Sequence, residues 1–397
     1  MIRKHTILRD ATGTLTTEPF DAGSARRRSG SVRGRRRVPP QPSVETAELT
    51  PGDLRTLARD PEVVGIAPVM PTRLIKPVGG PAAAAGLAWG IGAVRADVSG
   101  FNGQGVTVSV LDTGIDATHP AFQGVSLQQE DFSGSGNGDV NGHGTHCAGT
   151  IFGRDVGATR IGIARGVTKA FIGKVLKNDG TGDSDMIFRA IEWAVNNGSD
   201  VISMSLGFDF PGLVADLTAS GWPVPLATSA ALEGYRGNLR MFDALMAMMR
   251  ARAAFGSSPI VVAASGNESQ REVNPDFEIA ASLPAAADGV VSVGALRQTA
   301  NGLDIADFSN TLPQVSAPGV DIISAKTGGG LVSFSGTSMA CPHVAGVAAL
   351  WWQSVRGLPL PASATVVMAR LFAAARTDAL AAGVDVADRG VGLATAP

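Results

Sequence analysis

Four polar residues have the types and the local sequence contexts that are typical of nucleophilic catalysis. Asp112 follows a run of alternating valines, His143 lies between two glycines, and Ser338 follows a Ser-Gly-Thr turn. A serine hydroxyl is a poor nucleophile unless a base removes its proton, and that base needs a carboxylate to orient it. The pattern predicts Ser338 as nucleophile, His143 as general base and then acid, and Asp112 as the partner of His143. Asn267 and the Ser338 backbone N–H are predicted to donate hydrogen bonds to the oxyanion.

These side chains need a rigid support, and the surrounding sequence predicts an α/β fold. Residues 106–110 alternate valine with small polar residues, which indicates a strand with Asp112 at its carboxyl end. Residues 184–197 have the apolar spacing of an amphipathic helix. Continuous apolar runs indicate further buried strands at 201–207, 259–264 and 289–294. Strands that alternate with helices favour a mostly parallel sheet flanked by helices on both faces.

Several motifs resemble those of the subtilisin-like serine peptidases, the subtilase family. In chain order they are VTVSVLDTGID with THP, NGHGTHCAGT, VISMSLG, VVAASGN, VSAPGVDIISA and SFSGTSMACPHVAG, and HGTHCAGT is similar to the proteinase K form. The resemblance covers residues 87–397. It implies a three-layer subtilisin-like fold and a serine endopeptidase that cleaves a protein or peptide through an acyl-enzyme intermediate. It also implies binding of an extended peptide by Ser205, Leu206 and Gly207, and a specificity pocket walled by Ser265 and Gly266.

The N-terminal 80 residues differ in composition from the rest. Residues 1–40 contain ten Lys and Arg against three Asp and Glu, a local charge of 10 − 3 = +7. We expect a basic, disordered arm there, and the lack of aromatic residues among its clustered arginines argues against nucleic-acid binding. Residues 41–80 predict a short helix and strand, and this small α+β region resembles the later part of the inhibitory propeptide of many subtilases. The alternative is a docking segment that is never cleaved.

Two features depart from the family pattern. Ala121 stands in THPAF where many subtilases have a calcium-binding aspartate, so no tightly bound calcium is expected, although Asp179, Asp183 and Asp185 could supply oxygen ligands. The segment 208–257 is longer than the family usually needs. It is predicted to form a lid or rim that narrows substrate choice, with a surface hairpin as the alternative.

Composition limits the other classes of function. Hydrophobic residues make up 44% of the chain and charged residues 17%, which excludes a wholly disordered protein. No apolar run approaches the ~18 residues of a membrane span, so no membrane partner is expected. No secretory signal is recognised, and we expect a cytoplasmic location, with non-classical export left open. Cys147 and Cys341 are expected to be buried thiols.

Two alternative functions stay open at this point. His143, His146, Cys147, Cys341 and His343 are residue types that bind zinc, but their spacing is neither CxxC nor HExxH. The other alternative is a catalytically silent subtilase fold that only binds a partner, and the intact catalytic side chains argue against it. No cofactor is predicted, and the sequence does not indicate the oligomeric state.

Overall fold

The structure is a computed structural model that describes residues 3–12, 39–75, 77–80, 86–253, 258–359 and 361–397. The N-terminal elements are β1 (Arg3–Asp10), β2 (Pro42–Leu49), α1 (Pro51–Leu57), β3 (Val63–Pro68), β4 (Pro71–Leu74), β5 (Val78–Gly80), β6 (Gly86–Leu87) and α2 (Trp89–Ala93). The next are β7 (Thr107–Asp112), β8 (Ser126–Asp131), α3 (His143–Phe152), β9 (Thr159–Arg160), β10 (Lys169–Lys174), β11 (Thr181–Asp183), α4 (Ser184–Asn196), β12 (Val201–Met204), β13 (Leu206–Phe208), α5 (Phe210–Ala219) and α6 (Val224–Ala253). The last are β14 (Ile260–Ala264), β15 (Val290–Thr299), β16 (Gly302–Ile305), β17 (Val315–Pro318), β18 (Ile322–Ala325), β19 (Leu331–Ser335), α7 (Thr337–Arg356), α8 (Ala364–Ala373) and α9 (Val386–Arg389).

The centre of the molecule is a mostly parallel sheet, which confirms the predicted fold class. Its strand order is β16-β15-β14-β12-β7-β10-β8, with β17 pairing β15, and β16 runs antiparallel to β15. Both faces are covered. Val262 and Ala264 of β14 lie in one core cluster with residues of α3 and α7, whereas Val261 and Ala263 lie in a second cluster with residues of α4 and α6. No helix in the described ranges is long and apolar enough to cross a membrane.

Two buried histidines lie on α3 and α7, the helices that cover one face of the sheet. His146 in α3 donates a hydrogen bond from Nε2 to the Ile322 carbonyl at 2.9 Å, and His343 in α7 donates from Nδ1 to the Met339 carbonyl at 2.8 Å. Burial lowers the pKa of His146 to about 3 and the pKa of His343 to about 4. Both rings are therefore neutral in the folded protein near neutral pH.

This burial makes stability depend on pH. The free energy of unfolding is expected to fall by about 2 kcal/mol between pH 6.5 and pH 5.5, because unfolded histidines bind protons below about pH 6.5 and these buried rings do not. Urea unfolding of the Ser338→Ala chain, which is expected not to digest itself, measures the change. His343→Gln should remove about half of it. The same pH dependence in both chains would contradict a buried, neutral ring at position 343.

The elements β1 to β4 with α1, which precede Lys76 in the chain, form a small α+β region that we call the N-terminal unit. In it β1 lies between β2 and β3 in an antiparallel sheet. The prediction of one disordered arm over residues 1–40 is therefore wrong for residues 3–10. Charged residues occupy the ends of that strand, while Ile7 and Leu8 in its middle are buried. Residues 13–38, which contain the clustered arginines, lie outside the described residues.

The insertion forms two helices, α5 and the 30-residue helix α6, and they contact the N-terminal unit. The Asn238 side chain of α6 donates a hydrogen bond to the Pro68 carbonyl at the end of β3, at 2.9 Å. The guanidinium group of Arg3 lies 5.3 Å from the centre of the Trp222 ring, which is in the turn between α5 and α6. The insertion is therefore not an isolated surface hairpin, because it helps to hold the N-terminal unit.

Candidate active site

Asp112 and His143 are in contact where a strand ends and a helix begins. Asp112 is the last residue of β7, and His143 is the first residue of α3. His143 Nδ1 donates a hydrogen bond to Asp112 Oδ1 at 2.8 Å, and the backbone N–H of Thr113 donates to the same oxygen at 2.7 Å. Both side chains are buried. This pair fixes the imidazole with its Nδ1 proton toward the carboxylate, which leaves Nε2 as the basic nitrogen.

Ser338 lies in the first turn of α7, and its carbonyl oxygen is 3.5 Å from Cys147 Sγ of α3. Its Oγ donates a hydrogen bond to the Ile75 carbonyl at 3.2 Å and approaches the Ser205 carbonyl at 3.4 Å. His143 Nε2 is buried, and within the described residues it has no hydrogen-bond partner. The serine hydroxyl is thus engaged with a segment of the chain itself, and the basic nitrogen of His143 is available to accept a proton.

Asn267 has its side-chain amide fixed beside the N-terminus of α7. Its Oδ1 accepts hydrogen bonds from the Thr337 backbone N–H at 2.9 Å and from Thr337 Oγ1 at 2.8 Å, so Nδ2 is the donor end of an oriented amide. A Cβ at Gly336 would lie 2.9 Å from Asn267 Nδ2, so only glycine permits this approach. The Ser338 backbone N–H belongs to the first turn of α7, where N–H groups have no acceptor within the helix.

An extended segment of the chain lies in the cleft beside these residues. β4 is the middle strand of an antiparallel sheet between β11 and β13. Leu74 N–H donates to the Gly180 carbonyl at 2.7 Å, and Asp209 N–H donates to the Pro71 carbonyl at 3.0 Å. The sequence did not predict β11, because three residues reading Thr-Gly-Asp give no strand signal.

The predicted peptide-binding residues lie at different places around this segment. Leu206 and Gly207 in β13 are opposite Leu74 and Arg73 of β4, and the Ile75 side chain packs on Gly207. Ser205 lies behind the nucleophile, where its Oγ donates to the Ser338 carbonyl at 3.1 Å. Ser265 and Gly266 directly precede Asn267, and no hydrogen bond joins them to β4 within the described residues. Their part in the specificity pocket stays a prediction.

Both cysteines are free and buried, as expected. Cys147 Sγ lies 3.8 Å from His143 Nδ1 and 3.5 Å from the Ser338 carbonyl oxygen. Burial raises the pKa of Cys147 and raises the pKa of Cys341 to about 11. Neither thiol is therefore a nucleophile at neutral pH, and both lie on the buried helices that carry His143 and Ser338.

The histidines and cysteines of the zinc hypothesis do not come together at one site. His146 and His343 each donate a ring proton to a backbone carbonyl, as described above. In the part of the chain that the structure describes, the one group of three potential ligands with atoms within 4.8 Å of one another is Asp112, His143 and Cys147. Within that group Asp112 and His143 already share a hydrogen bond, and the Cys147 thiol is kept protonated by burial.

The calcium hypothesis concerns residues that have protein partners. Asp179 Oδ1 accepts hydrogen bonds from the backbone N–H and the hydroxyl of Thr181. Asp185 lies 3.0 Å from Lys4 in an ion pair. Ala121 is fully buried and offers no side-chain ligand. The expectation of no tightly bound calcium stays a prediction.

A three-layer α/β fold with a mostly parallel central sheet, a hydrogen-bonded Asp112–His143 pair and Ser338 in the first turn of α7 is typical of the subtilisin-like class of hydrolase. The model of the subtilase family matches residues 103–392, and the chain belongs to this family. It is 36% identical to the thermostable alkaline protease of Halalkalibacterium halodurans over 77% of this chain and 71% of that protein. It is 34% identical to subtilisin DY of Bacillus licheniformis over 66% of this chain and 83% of that protein. The protein is thus a subtilisin-like serine endopeptidase, with protein or peptide substrates.

Proposed function

We propose that Asp112, His143 and Ser338 hydrolyse peptide bonds as a catalytic triad, and that the first bond cut is the chain's own bond between Ile75 and Lys76. The observation that carries this proposal is the hydrogen bond from Ser338 Oγ to the Ile75 carbonyl oxygen at 3.2 Å. A carbonyl group held against a nucleophile in this way needs only a small movement to reach the geometry of attack.

The reaction begins when the Ser338 hydroxyl turns from the Ile75 carbonyl oxygen to His143 Nε2. His143 accepts the hydroxyl proton while Oγ bonds to the carbonyl carbon, and Asp112 stabilises the imidazolium that forms. The carbonyl oxygen becomes an oxyanion, which Asn267 Nδ2 and the Ser338 N–H stabilise by hydrogen bonds. Each of these groups is already oriented by its neighbours, so little reorganisation is needed.

The acyl-enzyme forms and breaks by proton transfers through the same histidine. His143 donates its proton to the departing amine, the C–N bond breaks, and the acyl group stays on Ser338. A water molecule then loses a proton to His143 as its oxygen bonds to the acyl carbon. The bond from that carbon to Ser338 Oγ breaks, and His143 returns the proton to Oγ. Apart from the water molecule, every group in these steps belongs to the chain, and we propose that the reaction needs no cofactor.

The N-terminal unit acts in this proposal as an inhibitor that blocks the cleft until it leaves. β4 occupies the cleft between β11 and β13, where a substrate strand would lie. The unit is anchored to α4, where Lys4 pairs with Asp185 at 3.0 Å and the Val44 N–H donates to Glu192 at 3.1 Å. A docking segment that is never cleaved would use the same contacts, so cleavage itself has to be tested.

The test follows the intact mass of the purified full-length chain over time and identifies the new N-terminus. We expect a fragment ending at Ile75 and a mature chain beginning at Lys76, together with labelling of Ser338 by a fluorophosphonate probe. A labelled chain that stays full-length would show that the N-terminal unit is a permanent part. The proposed triad would be contradicted by a chain that does not cut itself and that the probe does not label even after another protease has removed the N-terminal unit.

A further inference from the structure

We propose that Asp209 and Glu268 select substrates with a basic residue at the third position before the scissile bond. Arg73 holds that position in the chain's own segment, counted back from Ile75. The inference rests on the proposed function, because it takes Ile75–Lys76 as the bond that is cut. The substrate class is therefore an extended peptide or protein segment with arginine or lysine two residues before the one whose carbonyl is attacked.

The Arg73 side chain is held by two acidic groups from different parts of the fold. Arg73 Nη1 lies 3.2 Å from Asp209 Oδ1, and Nη2 lies 3.6 Å from Glu268 Oε1. Asp209 follows β13, whereas Glu268 follows the loop that carries Asn267. The planar guanidinium group presents its N–H donors in a fixed fork, which suits two carboxylates on different sides.

Both carboxylates are fixed by hydrogen bonds that do not involve Arg73. Asp209 Oδ1 also accepts the Gly212 N–H at 2.9 Å, as the N-cap of α5. Glu268 Oε2 accepts from the Asn310 side-chain amide at 2.8 Å, and the Glu268 N–H donates to Asn310 Oδ1 at 3.0 Å. Asn310 is itself buried. The acidic pair is thus oriented before a substrate arrives, which reduces the entropy lost on binding.

The expected preference is moderate, because the groups remain partly exposed to water. The side chains of Arg73, Asp209 and Glu268 are 41%, 21% and 34% exposed. Partly exposed ion pairs are weak one at a time, so the two together are expected to change kcat/KM by about tenfold. An acidic residue at the same position would meet two like charges and should be disfavoured further. Asp209 lies within segment 208–257, so the insertion contributes at least one residue to the substrate rim.

The test uses quenched fluorogenic octapeptides based on residues 71–78, PTRLIKPV. The mature enzyme is made by expression of the full chain and is counted by fluorophosphonate titration. We expect kcat/KM for PTRLIKPV to exceed that for PTALIKPV by about tenfold, with PTELIKPV lower again. Equal values for all three peptides, measured on titrated enzyme, would overturn the proposal while the proposed triad stands.

Variants assign the preference to the two carboxylates. Asp209→Asn combined with Glu268→Gln keeps the N-cap and the Asn310 contact but removes both charges, and it should bring the ratio of PTRLIKPV to PTALIKPV close to one. The matched control is Asp216→Asn combined with Glu272→Gln, which removes the same two charges at exposed positions. The control should keep the tenfold preference. Loss of preference in the control as well would show a general charge effect and overturn the assignment.

A second measurement does not depend on catalysis. In the full-length Ser338→Ala chain, the double variant Asp209→Asn/Glu268→Gln should speed hydrogen exchange of the Leu74 amide about tenfold relative to the Asp216→Asn/Glu272→Gln control. Equal exchange rates in the two chains would overturn the proposal even if no peptide is cut. A wild-type chain that fails to react with the fluorophosphonate probe after removal of the N-terminal unit would contradict the proposed triad alone, and the exchange rates would then decide the role of the acidic pair.

Discussion

Replacing Ser338 with alanine is expected to lower kcat by about 10⁶-fold, the magnitude known for subtilisin in the same family. The hydroxyl that contacts the Ile75 carbonyl is the only atom group lost, and no acyl-enzyme can form without it. The oxyanion donors and the cleft remain, so peptide binding should change little once another protease has removed the N-terminal unit. Hydrolysis of PTRLIKPV measures the loss of activity, and intact mass shows whether the N-terminal segment is still attached.

The control is Ser220→Ala, which removes a hydroxyl from the exposed end of α5, where Ser220 Oγ donates to the Asp216 carbonyl. That chain should be cut and labelled like the wild type. Circular dichroism should show the same fold for both variants. A Ser338→Ala chain that still released its N-terminal segment would require another nucleophile and would contradict the assignment.

The side chains that we propose as catalytic were chosen from sequence because each belongs to a local pattern. A strand pattern leads into Asp112, glycines flank His143, and a Gly-containing turn precedes Ser338, so the type of each residue and its nearest elements are visible in about ten residues. Asp112 and Asn267 follow β7 and β14, and the carboxyl ends of these parallel strands lie on one edge of the sheet. Asn267 was found in the same way, after a buried strand.

The contents of the cleft could not be predicted, because they depend on contacts distant in sequence. Leu74 bonds to Gly180, and Arg73 pairs with Glu268, across more than 100 and more than 190 positions. The prediction of disorder for the segment that contains β1 was wrong for a related reason. Its composition is basic, and Ile7 and Leu8 become a strand core only when β2 and β3 flank them. Propensity within one short segment does not contain that information.

Replacing Asp112 with asparagine is expected to lower kcat by about 10⁴-fold with little change in KM. The substitution keeps the shape of the side chain and removes its charge, so the imidazolium that forms during attack loses its buried partner. Hydrolysis of the same octapeptide by enzyme matured with added wild-type protein measures the change. The matched control is Asp131→Asn, which alters the last residue of β8, a strand separated from β7 by β10 in the same sheet, and should leave kcat near the wild-type value.

The two hydrogen bonds at Asp112 make the cause of the loss measurable. Asp112 Oδ1 accepts from both His143 Nδ1 and the Thr113 N–H, so an asparagine that places its oxygen there keeps the Nδ1 proton and loses only the charge. An asparagine that places its NH₂ there would face the Thr113 donor and force the ring proton onto Nε2, which removes the base. A retained low-field Nδ1 proton resonance would show the first arrangement and its absence the second. Near wild-type kcat in either case would contradict a catalytic role for the carboxylate.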